Sequence, residues 1–364
     1  MGSATAWHVA KRGRRVLGLD RFEPPHQFGS SHGSTRIIRE AYFEHPLYVP
    51  LVQRAYELWM ELEKEADRQL LLQTGGLMLG EPSGVLVRGA QRSAEEHHLL
   101  HKLLSAAEVR RRFPAFQPAD NMVAVWEPRA GILFPELAIK THLELAARHG
   151  ADLRFNAQVQ GWQPQNDGVL VRTGSDTYHA KQLLLSVGAW TGSLLGDLNL
   201  PLSVERQVMF WFEPSSHADI FQPQHCPIFI CEHEPRRFFY GFPNLGVGVK
   251  IGVHHEGATS YPDLLDREVK QHETETARDV LRGLLPDAAG TLRSSVVCMY
   301  TNTPDEHFLF DCHPRYPQVL IASPCSGHGF KFSPVIGELA ATLFCGGKSP
   351  FDLNLFKLAR FAKI

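Results

Sequence analysis

Four stretches of this 364-residue chain concentrate the side chains that can do chemistry. The first is GSSHGSTRIIREAYFE (29–44), with a run of hydroxyls and two arginines, Arg36 and Arg39. In a helix that i, i+3 spacing places both guanidiniums on one side, able to address a carboxylate or phosphate. An arginine pair is commonly just a solvated turn, but Ile37 and Ile38 between these two call for burial. The second is YGFPNLGVGVKIGVHH (240–255), where Lys250 sits among glycines and small aliphatics that would desolvate it and lower its pKa. His254, four residues on, shares its face of a strand, although a lone histidine there is more often a satisfied core residue. In SGHGFKFSPVIGELAA (326–341), Gly327 and Gly329 permit close backbone approach just before a helix, and Lys331 follows. Oriented N–H groups at such a place suit an anion or the electron-rich end of a ring. The fourth, VVCMYTNTPDEHFLFD (296–311), begins near Cys298, which on its own reads as a buried structural cysteine.

The elements that must position these residues alternate in character. Ala6, Val9, Ala10 and Gly13 follow the stripe of a helix lying on a sheet and ending at a glycine. RRVLGLD then reads as a buried strand closing on Asp20. Helix, turn, strand and acid form the second half of a dinucleotide-binding βαβ unit, in which Gly2 would be the last glycine of G-x-G-x-x-G. A strong amphipathic helix follows at 48–69, with Leu51, Ala55, Leu58 and Leu62 on one face. Strand, turn and strand are expected around Gly75 and Gly76, and a capping box from Ser105 to Glu108. A helix runs from Pro135 toward Gly150. KQLLLSVGAW (181–190) is a continuous apolar run stopping at Gly188, the pattern of a buried parallel strand with a ligand beyond its carboxyl end. Between 203 and 256 short aromatic-rich strands indicate an antiparallel sheet, and the chain closes on strand, glycine-rich loop and helix. The fold class is therefore α/β with α+β elements. A Rossmann-like domain is assembled from discontinuous pieces (1–75, 135–202, 298–364), interleaved with an antiparallel-sheet substrate domain (76–134, 203–297).

Composition narrows the function classes. The chain is 43% hydrophobic and 21% charged, an ordinary globular balance. A net charge of −2, with no basic stripe, argues against nucleic acid and anionic membranes as partners. No apolar run has the length of a membrane span, and the N-terminus lacks a signal pattern, so the cytoplasm is expected. Six cysteines form no C-x-x-C, which fits a reduced compartment. Cys226, Cys231, His233, His254 and His255 match no closed zinc spacing and read as scattered residues, so no metal is expected.

The residues CMYTNTPDEHF, SGHGFKFSPVIGE, PPHQFGSSHGSTRIIREAY and YGFP…GVKIGVHH resemble the monomeric sarcosine oxidase family of amine-oxidising flavoproteins, which includes N-methyl-tryptophan oxidase and pipecolate oxidase. The resemblance covers essentially the whole chain in the same order. It implies FAD held covalently by the Cys298 sulfur through the 8α-methyl of the ring. Arg39 and Lys331 would bind the substrate carboxylate, and Lys250 would activate oxygen over the other flavin face with Thr35 and Arg36 beside it. Tyr240 and His254 would line the amine pocket. Asp20 and Val159 would hold the adenosine half, Gly327, Gly329 and Phe330 the ring, and Gly2, Ser31 and Gly188 further parts of the cofactor. The implied reaction takes a secondary amino acid, N-methyl or cyclic, and O2 to an imine that hydrolyses, with hydrogen peroxide released by a monomer.

Two departures from the family pattern raise further expectations. Family members open with a strand and G-x-G ahead of the position of Gly2. A sheet without that central strand would leave two unpaired edges and bind FAD poorly, so a misplaced start or a truncated record is expected. Pro324 and Cys325 stand where relatives carry Gly-Phe, which would alter the flavin-loop geometry. The competing readings are an amine dehydrogenase using another electron acceptor and a non-catalytic remnant.

Overall fold

The first helix, Gly2–Lys11, buries Ala4, Ala6, Trp7, Val9 and Ala10, and Gly13 follows it at φ +73°, the left-handed stop its sequence position calls for. The computed structural model describes residues 1–363. Strand Leu17–Leu19 comes next and pairs in parallel with Asp152–Arg154. A second parallel pair joins Leu183–Leu185 to Tyr316–Ser323, which Leu309–His313 extends antiparallel. The described residues show no ladder joining these two pieces, and Leu17–Leu19 and Leu183–Leu185 both line one large cavity.

Helices Pro135–Arg148 and Ser333–Phe344 pack against the first helix. Helix Tyr48–Ala66 completes this layer, with the expected stripe of Leu51, Ala55, Leu58 and Leu62 all buried. Trp7, Trp59 and Tyr48 fill the shared core. Truncating one of these leucines to alanine would cost about 2–5 kcal/mol, because the surrounding helices cannot close the void.

The aromatic-rich segments enter one nine-stranded sheet. Its order is Thr259–Ser260, Ser203–Phe212, Val249–His254, Arg237–Phe242, Ile228–Glu234, Gly76–Gly80, Val123–Glu127 and Lys102–Ser105, with Leu292–Asn302 also paired to Ser203–Phe212. All of its pairs are antiparallel except Ile228–Glu234 with Gly76–Gly80. The two strands expected around Gly75 and Gly76 both form but join different sheets. Leu71–Gln73 pairs with Gly131–Leu133, which also pairs with Arg36–Ile38. Residues 159–180 make a three-stranded antiparallel sheet.

The local expectation for the arginine pair is corrected here. Arg36 opens a short strand, Arg36–Ile38, rather than lying on a helix, so the i, i+3 spacing does not set the two guanidiniums side by side. They engage different partners.

Candidate active site

One cavity has a volume of about 1560 Å³. Its wall includes Gly2, Ser31, Asp20, Val159 and Gly188, together with Cys298, Arg36, Arg39, Tyr240, His254, Lys331 and the 327–330 loop. Residues more than three hundred positions apart in the chain thus face one space. Lys250 and Thr35 stand behind this wall rather than in it, next to Arg36, Met209 and Phe242, which do line it.

Lys250 and His254 lie on strand Val249–His254 with Gly252 between them on the same face. The Tyr240 ring, on the neighbouring strand opposite Gly252, occupies the space a Cβ would need there. The Lys250 ammonium donates to the Gly33 carbonyl at 2.6 Å and to the Thr35 carbonyl and hydroxyl at 3.0 Å. Burial, and then the Arg36 charge, hold its pKa well below the ordinary lysine value. Arg36 braces the same loop by donating to the Thr35 and Ser30 carbonyls at 2.8 and 2.7 Å. The loop is also gripped from outside: one Glu136 oxygen accepts from the Gly33 and Ser34 amides at 2.7 and 3.0 Å.

Arg39 belongs to a different cluster. Its guanidinium meets both oxygens of Glu44 at 2.7 Å, donates to the Ala41 carbonyl at 2.9 Å and lies 4.2 Å from the centre of the Tyr42 ring. The Tyr42 hydroxyl contacts His328 Nδ1 at 2.6 Å, while His328 Nε2 reaches the Glu306 carbonyl at 3.0 Å. Burial drives the His328 pKa down to about 3, so the ring is neutral. Its one proton then belongs on Nε2, Nδ1 accepts from Tyr42, and the Tyr42 oxygen is free to accept from Lys331 Nζ at 3.3 Å. Lys331 also donates to the His328 carbonyl at 2.7 Å, and Trp59 fixes its backbone carbonyl at 2.9 Å. Burial first and the Arg39 charge second lower the Lys331 pKa to about 7, against the pull of Glu44.

His254 Nδ1 is 3.2 Å from the Tyr300 hydroxyl, and burial holds the histidine well below its usual pKa, hence neutral. Cys298 is buried on strand Leu292–Asn302, directly opposite Gln207, and lines the cavity. Pro324 and Cys325 lead into a turn in which Ser326 and Gly327 both take positive φ. The Pro324 carbonyl occupies the place where a Cβ on Gly329 would stand, and Ser326 N donates to Thr301 O at 2.8 Å. Asp20 accepts from the Phe22 amide at 2.9 Å.

The motifs picked out Arg39, Lys331, Lys250, Tyr240 and His254 but not Glu44, Tyr42, His328, Tyr300, Glu127 or Glu136. Tyr42, Glu44 and His328 lie inside the quoted stretches, where their polarity was a signal without a partner. Glu127 and Glu136 carried no local signal at all.

The family model for FAD dependent oxidoreductases matches residues 1–343. The chain belongs to this family. It is similar to monomeric sarcosine oxidase of Streptomyces avermitilis, at 44% identity over 100% of this chain and 95% of that protein. It is 35% identical to N-methyl-L-tryptophan oxidase of Yersinia pestis, over 99% of this chain and 96% of the other. Among solved structures, L-proline dehydrogenase of P. horikoshii superposes with a TM-score of 0.86 at 21% identity, covering 99% of this chain and 95% of that one. NikD, an amino acid oxidase of nikkomycin biosynthesis, does so at 0.84 and 23%, covering 98% and 94%. The expected α/β flavoprotein fold is therefore the observed one, and the protein is an FAD-dependent oxidoreductase. No described helix is long and apolar enough to cross a membrane.

The residues present fit FAD. The cavity exceeds the size usual for a small-ligand pocket, as a dinucleotide requires. The first helix presents its N-terminus to it at Gly2, and Asp20 closes the following strand at its wall. The 327–330 loop offers backbone with no room for side chains at Gly327 or Gly329.

Proposed function

We propose that this protein oxidises a secondary amino acid, N-methyl or cyclic, at the carbon–nitrogen bond and passes the electrons to oxygen. The observation that carries the reading is the pair of buried cations, Arg39 and Lys331, joined through Tyr42 in a wall shared with Cys298 and the 327–330 loop. A carboxylate between a guanidinium and an ammonium is fixed by charge-assisted hydrogen bonds, which orients the neighbouring C–H. The aromatic faces of Tyr240 and the neutral ring of His254 then offer an uncharged berth for the amine, which must be neutral to react. The chemistry supplied by bound FAD is acceptance of a hydride from the carbon next to nitrogen and delivery of two electrons to O2, giving hydrogen peroxide. Lys250, whose ammonium Gly33 and Thr35 order just behind the wall, would supply positive potential as oxygen gathers negative charge. The imine left behind hydrolyses; an N-methyl substrate yields formaldehyde and the demethylated amino acid.

Asp20, Val159, Ser31, Gly2 and Gly188 would hold the adenosine and pyrophosphate, and Gly327, Gly329 and Phe330 the ring, with Cys298 as its covalent attachment. The chain reads as two interleaved domains in a monomer. Its free cysteines suit the reducing cytoplasm.

The test is oxygen uptake and peroxide formation by the purified protein with N-methyl and cyclic amino acids and with their carboxamides. Turnover of the acids but not the amides supports the reading. Reduction of a dye without oxygen uptake would make the protein a dehydrogenase, and a chain that binds no FAD would make it a remnant. Flavin that stays with the acid-denatured chain, and is released from Cys298→Ser, supports the thioether.

A further inference from the structure

The segment that carries Arg39 is held from below by a second carboxylate. Glu127, the last residue of strand Val123–Glu127, accepts the Glu40 amide at 2.7 Å with one oxygen and the Ala41 amide at 2.8 Å with the other. All three groups are buried. Ala41 is thereby fixed on both sides, its N–H by Glu127 and its carbonyl by Arg39 Nη1 at 2.9 Å. Two residues past Glu127, Arg129 reaches the Glu40 carboxylate at 3.0 Å. Tyr56, from helix Tyr48–Ala66, donates to the Arg129 carbonyl at 2.8 Å and closes the cluster. The charged and titratable groups around Glu127 are thus Glu40, Arg39, Arg129 and Tyr56.

We propose that Glu127 is the positioning residue for Arg39, fixing through the Glu40 and Ala41 amides the guanidinium that receives the substrate carboxylate. The inference rests on the reading of Arg39 and Lys331 as a carboxylate site. Glu127 comes from the nine-stranded sheet, whereas Arg39 follows a strand of the separate three-stranded sheet, so this contact registers one sheet against the other at the site. A carboxylate is the only side chain that offers an acceptor to both amides with charge to strengthen each bond. Glutamine would turn an NH2 toward one amide, donor against donor, and free that end of the 40–41 peptide. Burial pushes the Glu127 pKa up to about 7, with the two amides opposing, so holding the pair of bonds depends on keeping this group ionised.

The experiment uses the FAD-loaded full chain and titrates acetate, and acetamide as its uncharged counterpart, by calorimetry at pH 6.5, where Lys331 is charged, and at pH 8, where Glu127 is ionised. Glu127→Gln is expected to weaken acetate binding by about tenfold while leaving acetamide unchanged. The substrate KM should rise by a similar factor with kcat within about threefold of the parent, and hydrogen exchange should quicken in the peptide containing Glu40 and Ala41. Acetate affinity within twofold of the parent would overturn the positioning role and leave the carboxylate reading standing. A parent protein that binds acetate no better than acetamide would overturn that reading, and this inference with it. If Glu127→Gln does not fold, Glu127→Asp decides by the same titration. It keeps the charge but is one methylene too short to reach both amides, so it too must lose acetate affinity, and unchanged affinity would overturn the proposal.

Discussion

Arg39 and Glu44 form a buried ion pair in which a single guanidinium nitrogen, Nη2, lies 2.7 Å from each carboxylate oxygen. The arginine a substrate carboxylate would use is therefore already partnered, and the ligand must share it. That sharing keeps the charge compensated before a substrate carboxylate arrives, when a bare buried guanidinium would be costly.

Arg39→Lys keeps the charge but loses the planar fork that reaches Glu44 and Ala41 together. The substrate KM should rise by at least about tenfold, with kcat affected less. Steady-state kinetics at saturating oxygen check this; an unchanged KM would mean the carboxylate binds elsewhere.

Lys331 gives the site a pH dependence whose sign follows from its pKa. With a folded pKa near 7 it is charged below neutrality and neutral above, so its own share of the carboxylate affinity should fall as pH rises from about 6 to 8.5, against the gain from ionising Glu127. Lys331→Met should flatten that part of the KM profile. The same shift acts on stability: between about 7 and the ordinary value of 10.5 the unfolded chain binds the proton that the native chain has lost. This group's contribution therefore grows more favourable as pH rises through that window.

Lys250→Met should separate the two half-reactions. Anaerobic reduction of the flavin by substrate should persist, while reoxidation by O2 slows by about 10²–10³-fold. The variant also leaves three acceptors, Gly33 O, Thr35 O and Thr35 Oγ1, without their donor, at a cost of about 1–3 kcal/mol each at most. Rapid mixing with and without oxygen reads the first effect and a thermal melt the second. Equal loss in both half-reactions would refute the oxygen role.

Gly329→Ala would place its methyl on the Pro324 backbone carbonyl, where no side-chain rotation can relieve the clash. The loop must shift, and the purified variant should carry much less flavin. The ratio of 450 to 280 nm absorbance measures this, and full flavin content would show that the loop does not form the ring site.

Local sequence patterns carried much of this protein. The stripe Leu51, Ala55, Leu58, Leu62, the Ser105–Glu108 capping box, Pro135 opening a helix and Gly13 ending one all rest on contacts within a few residues, so the residue types alone specify them. The same holds for Lys250 and His254 on one strand face, a consequence of the two-residue period. The tertiary structure decided the rest. It sent Arg36 to the Lys250 loop and Arg39 to Tyr42 and Glu44, because the segment between them is a strand and not a helix. It also brought Glu127 and Glu136 onto amides 86 to 103 residues away. A carboxylate that accepts from distant backbone leaves no period, spacing or motif in the chain, since every residue but proline offers the same N–H. Its partner is set only when the sheets and helices close on one another.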